Sequence, residues 1–420
     1  MCFDHHMTET IIFLFSVVVW IAKGHYDPSI VFLALCFFFW IYTIIFNFNR
    51  ITPLEIGFRY FPVLAGIMMC INSDLNSVSE IMRPYYWCFR FVPLALALVA
   101  FRVKRKNVIL VCYLLLFLSV VFLSPTPFID VFKSNTVAAR FLMAGLNPYS
   151  ERYTDIYKGE FTYLAGFLYW PSALYLQTLS QFLFHDIRVV LIFSWWSAVF
   201  FMSKKYRLTW CSIPFLAFGF EQAWLDPVLS LCAAVSLWSI YKRNYFILAL
   251  GIAISASIKQ YGFLVGFFVM AWLYLEGQKR EFWKVGLLAL TMFVLLLGPF
   301  LIWNFHDFIA MTVTSHAMAA PRADALNLTA FWMKWTGAGF STGVQIFMTL
   351  LGFALGLFHL YKNRVQRGLK IIPEAWAIAF GFSILFGKFA FCNYYWLLIS
   401  FWLLSLAWSN ENVDEYKLQA

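Results

Sequence analysis

From residue 8 to residue 409 the chain is a succession of apolar runs, each roughly 15–20 residues long, with lysines and arginines gathered in short clusters between them. A helix rises about 1.5 Å per residue, so a run of this length matches the roughly 30 Å of hydrocarbon in a bilayer. The composition agrees. Hydrophobic residues make up 62% of the 420 and charged residues only 12%, against about 25% charged in a soluble domain. Forty-nine Phe, 21 Tyr and 18 Trp also suit a lipid solvent, where aromatic rings are favoured at both interfaces. The pattern predicts an all-α, polytopic transmembrane helical bundle.

The net charge of +10 does not mark a nucleic-acid partner. Its carriers are Arg102 to Lys106, Lys204 to Arg207, Lys242 with Arg243, Lys279 with Arg280, and Lys362 to Lys370. Clusters of this kind between spans report orientation, because positive loops stay cytoplasmic. The eight cysteines lie mostly inside apolar runs without a CxxC pair, so they read as packing residues. The first run, Ile11 to Ala22, lacks a basic leader and reads as the first span.

Taken in order, runs at 8–22, 29–47, 54–72, 84–102 and 107–124 predict five spans. With Asn49, Arg50 and the 102–106 cluster cytoplasmic, the loop over 125–160 lies on the opposite side. Runs 161–184 and 187–203 are separated by His185 and Asp186, and Lys204 falls on the wrong side if both cross. One of them is therefore expected to be re-entrant or interfacial, which requires burial in protein. Runs 208–220, 224–241, 244–258, 261–275 and 284–303 then alternate regularly, and a second long non-cytoplasmic loop covers 304–341. Spans near 341–361, 371–390 and 393–409 complete about 13–14 crossings. The organisation expected is 1–106 as additional N-terminal helices, 107–410 as the core and 411–420 as a cytoplasmic tail.

An ionisable group at membrane depth costs about 2.5 kcal/mol or more, so each needs a reason. Asp130 follows the fifth run closely and opens a short amphipathic stretch. Val131, Phe132, Ala138, Phe141 and Leu142 fall on one side of it, interrupted by Lys133, Asn135 and Arg140. Gly145 and Pro148 end it. Two roles fit Asp130: capping this surface helix, or acting as a general base at the mouth of a wet cavity.

Glu221, Gln222 and Asp226 form a polar turn between two short spans, with Asp226 before Pro227 as at a helix start. Lys259 and Gln260 interrupt two apolar runs on the side of Asp130. Lys259 is either a snorkelling lysine or a cation for a lipid phosphate, and Arg322 could serve the same end through its planar fork. His306, Asp307, His316 and Asp324 share the second long loop, without the spacing of a metal site. No Gly-rich phosphate loop or GxSxG is present. Asn327 to Thr329 form a glycosylation triplet of a kind common by chance.

A span ending just before a lone acid is followed by a surface helix closing in Ala144 to Tyr149 (Ala-Gly-Leu-Asn-Pro-Tyr), then by Tyr169, Trp170 and Pro171. This series resembles the GT-C superfamily of membrane glycosyltransferases, nearest to its polyprenyl-phosphate-sugar-dependent mannosyltransferases. Glu221 to Pro227, Ser255 to Leu264 and Arg322 to Thr329 resemble later motifs of that family, and the likeness covers about 107–410. The chain departs from the family in its four extra leading spans, in Ser172 for a second proline and in Glu221 for a glycine.

The resemblance implies a GT-C-like bundle that inverts a sugar drawn from a polyprenyl-phosphate donor onto an acceptor hydroxyl on the non-cytoplasmic side, facing the periplasm or the ER lumen. It implies Asp130 as the base and Lys259 and Arg322 at the donor phosphate. It places Gln260, Glu221, Asp226, His316, Arg140 and Tyr149 near the sugar or acceptor. It implies no metal and no cofactor beyond the lipid-linked donor, with a glycolipid, polysaccharide or protein as acceptor. A single base is enough, because a glycosyl phosphate is already activated, whereas hydrolytic glycosidases use two carboxylates. Two other classes fit the composition. A transporter or flippase of lipid-linked sugars would show broken helices and repeated halves. A glycan polymerase or ligase would carry a late loop rich in Arg and His.

Overall fold

A computed structural model describes residues 2–46, 60–71, 75–100, 102–103, 106–159 and 165–409. Asn49, Arg50, Lys104 and Arg105 of the basic cluster, residues 160–164 and the 410–420 tail lie outside them. Among the described residues the structure is helical, apart from an isolated bridge between His25 and Ala325.

The α-helices in chain order are α1 (Cys2–Ile21), α2 (Ile30–Phe46), α3 (Phe61–Ile71), α4 (Arg83–Ala100), α5 (Lys106–Leu123) and α6 (Asp130–Met143). They continue with α7 (Pro171–Phe184), α8 (Val189–Ala198), α9 (Arg207–Cys211), α10 (Leu216–Glu221), α11 (Asp226–Tyr241), α12 (Tyr245–Ala256) and α13 (Phe263–Leu275). The last six are α14 (Lys279–Ile309), α15 (Ser315–Met318), α16 (Leu328–Thr336), α17 (Thr342–Arg367), α18 (Ile371–Phe386) and α19 (Cys392–Ala407).

Helices that are apolar all round belong in the middle of a bundle. α18 and α19 meet that description, being buried along nearly their whole length. α11 packs on α19, where the Ser230 and Ser400 hydroxyls meet at 3.0 Å. The first two helices join this centre. α1 lies on α19 through an edge contact of Phe15 with Trp402, and α2 lies on α18 through Phe37 and Phe382. The N-terminal helices are thus built into the body of the core. The outer faces are apolar too: Leu295 and Ile302 of α14 are 70% and 88% exposed. A stripe of that kind is stable facing lipid and costly facing water.

Among the described residues, two stretches are long and apolar enough to cross a membrane, Lys279–Met318 and Thr342–Phe386. Pro171–Phe184 with Val189–Phe201, bent by 110° at their break, makes a third if counted as one span. Eight shorter apolar helices of 10–17 residues accompany them. This is fewer than the 13 or 14 crossings read from the runs, because an apolar run need not be one helix. The run 208–220 is split between α9 and α10, where Pro214 removes a donor and disfavours helix in the residue before it. α12 rises only about 18 Å over its 12 residues.

The long stretches have internal structure as well. α14 leaves helical geometry at Asn304, where the first apolar part ends. The Asn304 carboxamide accepts the Asp307 amide at 3.1 Å and so starts the next segment. α17 and α18 pack side by side along their lengths, so Thr342–Phe386 is a hairpin turning at Gly368–Lys370. The bend between α7 and α8 makes this region either a broken span or a re-entrant segment.

Candidate functional site

The expected surface helix begins at Asp130 and ends at Met143, and Gly145 adopts the left-handed backbone (φ 75°) that stops it. Its buried side is Asn135, Ala138 and Ala139, the small residues of the stretch, because α7 packs close against it. The aromatic and aliphatic residues of the predicted apolar side are only half covered. The Asp130 carboxylate accepts the Val131 amide at 2.8 Å, as an acid in a first turn does.

The segment leading into Asp130 is braced from below. The Ser77 backbone carbonyl accepts the Ser124 hydroxyl at 3.0 Å, and the Ser77 hydroxyl accepts the Phe128 amide at 3.1 Å. Glu221, fully buried, accepts the amides of Asn76 and Ser77 at 2.9 and 2.8 Å. It therefore fixes the strut that fixes the approach to Asp130, and it does not itself line the cavity described next. Arg188 gives a second brace. Its buried guanidinium donates to the Ser124 carbonyl at 2.7 Å, pairs with Asp186 at 2.6 Å and lies 4.8 Å from the Phe132 ring of α6. Sequence reasoning passed over Arg188. The signal available was an arginine at the start of the run 187–203, two residues after Asp186, where a buried charge needs a partner.

Asp130 opens onto a cavity of about 1130 Å³. Its wall brings together Asp130, Arg140, Lys259, Gln260, His316 and Arg322, residues from four separate parts of the chain. Asp226 and Tyr149 are not on the wall. Both stand behind it.

Asp226, 1% exposed at the start of α11, is what holds Lys259. The Lys259 ammonium donates to Asp226 at 3.0 Å and to the Tyr261 hydroxyl at 2.8 Å; Tyr261 and Asn393 donate to the same carboxylate at 2.6 and 3.0 Å. Tyr169, Tyr261 and Tyr394 surround the ammonium, with ring centres 5.2–5.9 Å away. Desolvating a charge so completely is costly, and the carboxylate, hydroxyl and ring faces together offset it. An ammonium has three donors. The two bonds named leave a third direction, and Lys259 also lines the cavity.

Gln260 bridges the other wall, donating to the Thr312 carbonyl at 2.8 Å. Thr312 lies in a widened π-helical turn, Ala310–Thr314, and such turns are frequent at functional sites. His316 Nε2 stands 3.4 Å from the Leu168 carbonyl.

Arg322 is less available than its position in the loop implied. It forms a two-pronged pair with Asp324 (2.8 and 2.6 Å) and lies over the Phe391 ring. Half-burial works to raise the Asp324 carboxyl, and the bonds and charge of Arg322 outweigh it, holding it below the usual aspartate value. Tyr149 is a packing residue, fully buried among Phe167, Phe300 and Phe308, with its hydroxyl on the Tyr169 carbonyl at 3.0 Å. Asn327 is buried, accepts the Ala330 amide to start α16 and donates to the Gly387 carbonyl, so the glycosylation triplet has no room for a glycan.

Compared with known proteins, the chain matches no protein-family model, no curated protein and no solved structure.

Proposed function

We propose that this chain is a membrane glycosyltransferase of the GT-C kind, a polytopic helical bundle that moves a sugar from a polyprenyl-phosphate donor to an acceptor hydroxyl. One observation carries the reading: Asp130, at the start of a surface helix, lines the same cavity as the buried Lys259. In the reaction the acceptor oxygen attacks the anomeric carbon from the face opposite the phosphate, and Asp130 takes the hydroxyl proton. The bond between that carbon and the phosphate oxygen breaks, the configuration inverts, and the polyprenyl phosphate leaves with the electron pair. Lys259 meets the charge gathering on that phosphate, and a cation already fixed in a dry pocket needs no reorganisation as the charge develops. Gln260, His316 and Arg140, on the same wall, would contact the sugar or acceptor, while Asp226 and Glu221 would act through Lys259 and through the approach to Asp130.

The cavity would face the periplasm of a bacterial inner membrane or the lumen of the ER. The sugar class is hexose or pentose, and the acceptor is a glycolipid, polysaccharide or protein. The test is transfer from a radiolabelled polyprenyl-phosphate sugar pool by membranes carrying wild type or Asp130→Asn. Loss of transfer at normal expression supports the reading, and undiminished transfer removes Asp130 from the chemistry. A second reading, transport of a lipid-linked sugar, is favoured by the 110° bend between α7 and α8 and the break at Asn304. It gains if neither protein transfers and vesicles containing the protein flip a labelled lipid-linked sugar.

A further inference from the structure

The turn between α1 and α2, residues 23–27, forms part of the cavity wall through Lys23, Gly24 and His25. It is held there by specific contacts. The Tyr26 amide donates to the Asp324 carbonyl at 2.8 Å, the backbone of His25 bridges to that of Ala325, and the His25 ring stands 3.9 Å from the Asp324 carboxylate. A β-carbon on Gly24 would sit 2.7 Å from Cys392 at the start of α19, so the turn is pressed against the helix that also carries Asn393 and Tyr394. Lys23 has φ 51°. That left-handed conformation is one a lysine adopts at a cost and a glycine adopts freely.

The amides of Lys23 and Gly24 return to Trp20 and Val19 to close α1, which explains the backbone shape. A cation there also suits the negative helix end, as Arg243 (φ 54°) does after α11, and Lys23 differs in lining the cavity. What the lysine adds is charge on the cavity wall.

The charge around the cavity points the same way. Six lysine and arginine side chains line it against three aspartates. One aspartate, Asp324, is bonded to Arg322, and another, Asp155, accepts the amides of Tyr157 and Gly159 in its own turn. Lys23 adds to this excess from the N-terminal side, and His25 beside it stands 3.9 Å from the Asp324 carboxylate that Arg322 already holds.

We propose that Lys23 and His25 form a second anion subsite that receives the negatively charged group of an anionic sugar, either a phosphate or a uronic carboxylate. Its identity as the acceptor rests on the transferase reading; the subsite itself does not.

The test uses full-length protein in nanodiscs of phosphatidylcholine, titrated with glucose 6-phosphate, glucuronate, glucose and farnesyl phosphate. The expected result is that at least one anionic sugar binds wild type about tenfold more tightly than glucose, a difference of about 1.4 kcal/mol. Lys23→Gly with His25→Gln should remove at least about fivefold of that preference without lowering the melting temperature and without changing farnesyl phosphate binding. Lys23→Gln with His25→Gln, which keeps the β-carbons, should repeat the loss. The proposal is overturned if both anionic sugars bind the variants as tightly as wild type, or wild type no better than glucose. It is also overturned if farnesyl phosphate weakens in parallel, which would give the turn to the donor phosphate. Undiminished transfer by Asp130→Asn would sink the transferase reading and leave this preference for anionic sugars intact.

Discussion

Two of the regions that bury ionised side chains differ in what is left over. At the hairpin between α17 and α18, Glu374 accepts from His359 at 2.8 Å, Arg367 at 2.9 Å and Ser405 at 3.3 Å. Arg367 donates further to the Ile44 carbonyl, and Asn363 closes the other side of His359. Every direction is filled by protein, and none of these residues lines the cavity. The Asp226–Lys259 pair is equally buried, and its carboxylate is as fully occupied. Lys259, however, also lines a cavity of about 1130 Å³, with only two of its three ammonium donors bonded. Burial of charge is therefore a poor sign of function by itself. The informative sign is a buried charge on a cavity wall with a donor to spare.

The largest effect should come from separating the partners at the site. Lys259→Met leaves Asp226 buried without its cation, and breaking a buried pair costs about 3–5 kcal/mol. Thermal melting in detergent should show it. Lys259→Met with Asp226→Asn should regain most of the stability and none of the transfer, and recovered transfer would refute the role of the ammonium.

The closed cluster should behave in the opposite way. Glu374→Gln leaves Arg367 with a neutral partner and should cost about 2–3 kcal/mol. Transfer per folded molecule should stay at wild type. A selective loss of activity would break the distinction between the two regions.

A smaller effect concerns Asp324, 44% exposed beside Arg322. Its carboxyl is held below the usual value in the folded protein, so its contribution is complete above the unfolded value and is lost as pH falls through the folded one. The turn at 23–27 should therefore stay docked from neutrality to about pH 4 and loosen only below it. Exposure limits the contribution to about 1 kcal/mol or less. Protection of the Tyr26 amide against hydrogen exchange reads it, and loosening already between pH 7 and 5 would contradict it. The smallest effect is expected for Tyr149→Phe, which loses one hydrogen bond to a carbonyl, about 1 kcal/mol, with transfer intact. A transfer defect larger than the stability defect would return Tyr149 to the site.

The sequence showed Asp130 as the first residue of a surface helix and Gly145 as its stop, because both are local features. It also showed Lys259 as a cation in need of a reason. Its partner Asp226 was recognisable only as an acid before a proline, since the pairing joins residues 33 positions apart. Glu221 read as a candidate ligand contact and turned out to brace the chain ahead of Asp130, through amides 144 and 145 positions away. Helix lengths were hidden because apolar runs look alike whether continuous, as in α17, or broken, as at Pro214. The role of the α1–α2 turn depends wholly on the packing of α1 and α2 against α18 and α19, which no local pattern encodes.

The most direct measurement is equilibrium binding of farnesyl phosphate to two purified variants, Asp130→Asn and Lys259→Met with Asp226→Asn. If Lys259 holds the phosphate and Asp130 serves only as base, the first should bind within about twofold of wild type and the second at least about tenfold more weakly, a loss of about 1.4 kcal/mol or more. Undiminished binding by the second variant, or a loss confined to the first, would contradict the division of labour across the cavity.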